Sequence, residues 1–162
     1  YVRVPDDLEQ YLSTWDNSFK DRTGTVEKYN DRLYLLKDGS QSESVIIPKE
    51  NGYRGEVYLL VDAANSSATF ILAKILKENG LANLVGQTTG GNQRGINGGQ
   101  IMFLDLPNSG IEIDIPLIGY FPDGEQPDAG LEPDIKVEKN NKDIAVGKDT
   151  ELEYVKQMIE RK

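Results

Sequence analysis

The stretch Val57-Tyr58-Leu59-Leu60-Val61-Asp62-Ala63-Ala64-Asn65-Ser66-Ser67-Ala68-Thr69-Phe70 decides the fold class of this chain. Together with Glu56 just before it, the part that ends at Val61 forms an apolar run of strand length without polar alternation. That is the pattern of a strand buried on both faces of a parallel sheet. Small and polar residues follow. From Ser67 to Asn79 the stripe Ala68, Ile71, Leu72, Ile75 and Leu76 predicts a helix, and Gly80 supplies its stop. Ala82 to Gln87 is a second strand. Strand, helix and strand in about 30 residues make a βαβ unit with a right-handed crossover, and so an α/β fold.

Working outward, Gln100 to Leu106 and Ile111 to Ile118 predict two strands joined at Pro107-Asn108-Ser109-Gly110. Ile111, Ile113 and Ile115 alternate with Glu112, Asp114 and Pro116, which predicts one buried face. Ile135-Lys136-Val137 is a short last strand. A closing helix begins at Lys148-Asp149-Thr150-Glu151, with Leu152, Val155 and Ile159 inward. The first third is less patterned. Pro5 to Leu12 predicts a short helix with Leu8, Tyr11 and Leu12 on one face. Asp16 to Thr25 is polar loop, Tyr29 to Leu36 holds a strand, Lys37-Asp38-Gly39-Ser40 is a turn, and Ser44-Val45-Ile46-Ile47-Pro48 is an edge strand.

Composition narrows the function. The 162 residues suit one domain with a real core. Eighteen basic residues against 27 acidic ones give a net charge of −9, which opposes binding to nucleic acid. Neither cysteine nor histidine occurs, so a disulfide, a thiolate nucleophile and a zinc site of the usual kind are excluded. No calcium-loop pattern is present, and no metal or cofactor is expected. No apolar run has the roughly 20 residues of a membrane span. The chain opens on Tyr1, which points to a mature or excised piece of a longer protein. The lack of cysteine fits an exported protein, whether periplasmic, extracellular or attached to the cell envelope.

Ser67 is the candidate nucleophile. A hydroxyl at a helix N-terminus sees free backbone N–H groups and the positive end of the helix dipole. Both favour an alkoxide and the oxyanion formed on attack, for which the Ala68 N–H is a donor. Serine is also a preferred N-cap, so Asn65, Ser66 or Ser67 equally suits plain capping. Asn65-Ser66-Ser67 is in addition a glycosylation sequon, poorly placed at a buried helix start.

Three segments in order, Ser67-Ala68-Thr69-Phe70, Leu84-Val85-Gly86-Gln87-Thr88-Thr89-Gly90-Gly91 and Gly130-Leu131-Glu132-Pro133-Asp134-Ile135, resemble motifs of the S41 serine peptidases. That family includes the C-terminal processing (tail-specific) and tricorn core proteases. The resemblance covers roughly residues 55 to 160 and implies the C-terminal part of a catalytic domain. It implies a ClpP/crotonase-like spiral of sheet and helices, incomplete in residues 1–162, without the N-terminal cap, any PDZ module and the first βα units. It also implies peptide-bond hydrolysis in protein or peptide substrates, with Ser67 as nucleophile.

The chain departs from that pattern at the base. Asn92 stands where the processing proteases have a catalytic lysine, and an amide takes no proton at neutral pH. Arg94 nearby stays protonated. Phe70 replaces the family's glutamate, and Glu78 is a weaker match to its later acid. The histidine of the tricorn-like branch is absent, as is the Asp-x-Arg-x-Asn-x-Gly-Gly stretch before the nucleophile. The general base is therefore expected from outside this chain. Of the late acids Glu125 and Asp128, Glu125 is slightly favoured as an orienting group.

Gly90, Gly91 and Asn92 lie in a glycine-rich loop that lacks the Gly-Lys-Ser/Thr of a phosphate cradle and reads as a substrate-facing loop or a plain connection. Tyr120 and Phe121 suit the core better than a substrate pocket. An incomplete sheet exposes strand edges, so pairing between copies is a further expectation. The alternative to an enzyme is a non-catalytic S41-like module that binds peptides or proteins. A thioester-acting crotonase-like domain is a third reading, disfavoured by the missing nucleotide site.

Overall fold

The computed structural model describes residues 2–13, 20–37, 47 and 49–161. The chain divides into two compact units, one of Tyr1–Gly52 with Gly98–Ile118, the other of Tyr53–Asn97 with Gly119–Lys162.

In the first unit, helix α1 is only Asp6–Glu9. It stops early because the residues after it bond to a strand instead. Ser13 N donates to Phe103 O at 3.1 Å, and Asp105 N donates to Tyr11 O at 2.8 Å. Strand β1 (Val26–Lys28) pairs antiparallel with β2 (Tyr34–Leu36). The strand expected from Tyr29 starts late, because the Asn30 side chain accepts from the N–H groups of Arg32 and Leu33 and folds residues 30–33 into a turn. Apart from Lys37 and Ile47, the expected turn at 37–40 and edge strand at 44–48 lie outside the described residues, as do residues 16–19 of the expected loop.

The second unit contains the βαβ unit. Strand β3 (Tyr58–Val61), helix α2 (Ser67–Glu78) and strand β4 (Asn83–Gly86) follow one another, and β3 and β4 are parallel with Tyr58 opposite Asn83 and Val61 opposite Gly86. Strands β5 (Ile96–Asp105) and β6 (Glu112–Tyr120) form a hairpin whose residues 98–118 belong to the first unit. Strand β7 (Ile135–Lys136) then pairs parallel with β4, giving the sheet order β3-β4-β7. Helices α3 (Asn141–Ala145) and α4 (Thr150–Glu160) close the chain. Asp149 caps α4 by accepting from Leu152 N at 2.9 Å.

Side chains alternate across this sheet as the strand period requires. Val61 and Leu84 join Phe70 and Ala73 of α2 and Leu131 in one cluster, with Leu59 and Ile96 against it. Val85 joins Val137 and Val155 of α4 in another, with Tyr58, Leu60 and Ile135 against it. The sheet therefore lies between α2 and α4, a three-layer α/β arrangement.

Several expected faces are corrected. The core face of α2 is Phe70 and Ala73, while Ile71, Leu72 and Ile75 are exposed. Helix α2 carries apolar residues on more than one side, so its pattern leaves the inward face undetermined. In α4 the inner face is Glu151 and Val155, with Leu152 and Ile159 exposed. Strand β3 has no strand on its other edge among the described residues, and only Val61 in it is fully buried. Ile111 and Ile113 are exposed instead of facing a core, and so are Tyr120 and Phe121.

Candidate active site

Strand β3 ends at Val61, and the four residues after it form a tight turn. Asp62 N donates to Asn65 Oδ1 at 2.7 Å, and Asn65 N returns a bond to Asp62 O at 3.0 Å. Ala64 N donates to Asp62 Oδ1 at 2.9 Å. The turn delivers Ser66 as the N-cap residue of α2, in extended conformation with φ −130° and ψ 178°. Its side chain makes no capping bond. Its carbonyl instead accepts from Thr69 N and Thr69 Oγ1 at 3.2 and 2.9 Å.

Ser67 follows at φ +51°, the sole described non-glycine residue with a positive φ. Left-handed backbone is unfavourable for a residue with a Cβ and persists where its surroundings over-determine it. Ser67 is exposed, and its hydroxyl has no hydrogen-bond partner among the described residues. Neither serine therefore uses its side chain to cap the helix. The Ala68 N–H, in the first turn, has no acceptor among the described residues, so a free hydroxyl and a free amide stand together at the positive end of α2.

The glycine-rich loop packs onto this turn. A Cβ at Gly90 would collide with the Ala63 carbonyl oxygen, and one at Gly91, where φ is +80°, would lie 3.0 Å from the Phe70 ring. Both glycines are required by close approach to the residues flanking Ser67. The loop is stapled to residues 126–132. Thr89 N donates to Leu131 O at 3.0 Å, and Leu131 N returns to the buried Thr89 Oγ1 at 2.8 Å. Gln93 donates from N to Ala129 O and from Nε2 to Gly130 O, at 3.0 and 2.9 Å.

Asn92 is held within that staple. Its Nδ2 donates to Asp128 Oδ1 at 2.6 Å, and its Oδ1 accepts from Arg94 N at 2.8 Å. Arg94 donates to Asp128 Oδ2 at 2.8 Å and to Gln126 O at 3.2 Å. Of the two late acids, Asp128 is thus engaged with the loop, whereas Glu125 is exposed and has no hydrogen-bond partner among the described residues.

The Gly130–Ile135 motif serves the sheet. Gly130 lets the chain cross against the Thr89 carbonyl, where any side chain would collide. Asp134 Oδ2 accepts from Leu84 N at 2.8 Å, and its other oxygen takes the Lys77 ammonium, which also donates to Glu132 O at 2.9 Å. Burial would raise the Asp134 pKa, but the bonds from Lys77 and Leu84 outweigh it and hold the carboxyl below its ordinary value.

Sequence reasoning missed a second polar group behind the turn. Lys139 Nζ donates to Asp62 Oδ2 at 3.1 Å and lies 3.3 Å from Oε1 of Glu151. Glu151 is buried, and that oxygen has ion-pair distance to Lys139 without hydrogen-bond geometry. The Ala64 N–H, and next the Lys139 ammonium, lower the Asp62 pKa. The Asp62 bond raises that of Lys139, against a smaller desolvation effect and with Glu151 assisting. A pocket of about 130 Å³ opens beside this group, walled by Asp62, Asn65, Lys139, Asp149 and Glu151 but not by Ser67. The one sequence signal for the group was an aspartate ending an apolar strand. Among the described residues no group of His, Cys, Asp or Glu side chains is arranged to hold a metal ion. No described helix is long and apolar enough to cross a membrane.

The family model described as Peptidase family S41 matches residues 10–137 of the chain. No curated protein matches it.

Proposed function

The chain belongs to peptidase family S41, and from that premise we propose that it carries the nucleophile of a serine endopeptidase acting on proteins or peptides. The observation that supports this best is Ser67 itself, exposed, without a partner among the described residues and left-handed at the mouth of α2. In this reading Ser67 Oγ adds to the scissile carbonyl, the carbonyl oxygen becomes an oxyanion, and the Ala68 N–H donates to it. The base that takes the Ser67 proton returns it to the leaving nitrogen as the C–N bond breaks, and a water deprotonated by the same base then hydrolyses the acyl ester and restores the Ser67 hydroxyl.

The general base comes from outside these 162 residues. Histidine is absent. Asn92 has both amide ends engaged, and Lys139 is held as a cation by its two carboxylates. Glu125, without a hydrogen-bond partner among the described residues, is the candidate to orient that base. Gly90, Gly91 and Asn92 form the wall of the substrate groove nearest Ser67. The three-layer sheet continues, in this proposal, into the ClpP/crotonase-like spiral through an upstream part of the same protein. Export is proposed on the absence of cysteine.

A fluorophosphonate probe tests the reading. It is expected to label Ser67 in the full-length protein, to leave the 162-residue chain unlabelled, and to lose its target in Ser67→Ala. Rapid labelling of the 162-residue chain would overturn the external base. The bonds that occupy Asn92 favour a second reading, a non-catalytic module that binds peptides or proteins. Absence of label in the full-length protein would select it.

A further inference from the structure

We propose that Lys139 is a positioning residue for the nucleophile, holding through Asp62 the backbone turn that presents Ser67. This rests on the reading of Ser67 as nucleophile. Four polar atoms of Asp62 are each engaged, and three of them fix the turn. Its N–H holds the Asn65 side chain, its carbonyl holds the Asn65 amide, and its Oδ1 holds the Ala64 amide. The fourth, Oδ2, belongs to Lys139. Residues 62–65 lead straight to Ser66 and to the left-handed Ser67, a conformation that needs external support.

Lys139 is in turn held from α4. Glu151 is 4% exposed, and a carboxylate that buried is rarely kept without a specific partner. The backbone makes room for it. A Cβ at Gly86 would strike the Val61 carbonyl and approach Glu151 Cγ to 3.4 Å. Strand β4 is therefore bare where the Glu151 stem passes beneath the end of β3. Helix α4, Lys139 and Asp62 form a continuous polar strut that ends five residues before Ser67.

Lys77 and Asp134 supply an internal control. They are also a lysine–aspartate pair, but Asp134 bonds to Leu84 at the start of β4, and among the described residues neither makes a hydrogen bond or ion pair to the turn. Each pair supports the fold, and of the two lysines Lys139 is the one bonded to residues 62–65.

The experiment compares Lys139→Met, Lys139→Arg and Lys77→Met in the full-length protein. It reads fluorophosphonate labelling at Ser67 and hydrogen exchange at the Ala64 and Asn65 amides. Lys139→Met is expected to slow labelling by about tenfold to a hundredfold, the cost of a small misplacement, and to speed exchange at both amides by about tenfold. Lys139→Arg restores most of each, and Lys77→Met lowers Tm while changing neither. If Lys139→Met does not fold, Asp62→Asn, close in size, is read the same way. Unchanged labelling, with or without faster exchange, overturns the proposal. Should unsubstituted Ser67 take no label at all, the nucleophile reading fails by itself. Amide exchange then still decides whether Lys139 holds the turn.

Discussion

Asn92 and Asp128 are joined by a 2.6 Å hydrogen bond from Nδ2 to Oδ1, and the second oxygen of Asp128 takes Arg94 at 2.8 Å. A position that resembles that of a catalytic lysine is here part of a clamp between two loops. An ammonium placed there would meet a carboxylate already within hydrogen-bond reach. Opposite charge at that range stabilises the protonated amine and weakens it as a base.

Asn92→Lys alone is therefore expected to leave fluorophosphonate labelling of the 162-residue chain at its unsubstituted level. Adding Asp128→Asn removes the carboxylate and is expected to raise labelling above that of the single variant. A general base contributes about a hundredfold or more. A gain of that size from Asn92→Lys alone would show that Asp128 does not restrain the position.

The left-handed backbone of Ser67 predicts an inverted order of stability for two small substitutions. Ser67→Ala keeps a Cβ at φ +51°, whereas Ser67→Gly removes the unfavourable contact. Glycine at this site is expected to be more stable than alanine by about 1 kcal/mol, although glycine usually weakens helices. Urea unfolding of the two variants measures the difference. An alanine variant as stable as the glycine one would mean that φ at this residue is ordinary in solution.

Stability should be flat near neutrality and fall at both extremes. Neither histidine nor cysteine is present to titrate between. The folded Asp62 and Asp134 have lowered pKa values, so their contribution is complete above the unfolded carboxylate value of about 4 and is lost as pH falls through the folded values. Lys139 has a raised value, so its contribution is complete below the unfolded lysine value of about 10.4 and is lost as pH rises through the folded one. Thermal melts from pH 3 to pH 7 should show a smaller acid loss in Asp62→Asn than in the parent. Parallel curves would remove Asp62 from this account.

The βαβ unit was legible because strand, turn and helix signals all agreed over residues 57–87, and the Gly130–Ile135 motif was legible as a motif. Its physical task was not, since the bonds of Thr89 to Leu131 and of Asp134 to Leu84 join residues more than 40 positions apart. The inward face of α2 was misread because Ile71, Leu72 and Ile75 are as apolar as Phe70 and Ala73. Glu151 was invisible for a different reason. A charged residue in a first helical turn reads as solvated, and its partner Lys139 comes from a different segment, ahead of α3. The polar turn before Ser67 was legible as a junction, but its left-handed residue was not, because serine carries no signal for positive φ.

Phe121 gives the second unit a clasp. A Cβ on either Gly95 or Gly119 would come within 2.7 Å of its ring, so the departing and returning strands are pinched together by one aromatic plate. A side chain at either glycine has to displace that ring, so both positions are closed to substitution while the plate stays where it is.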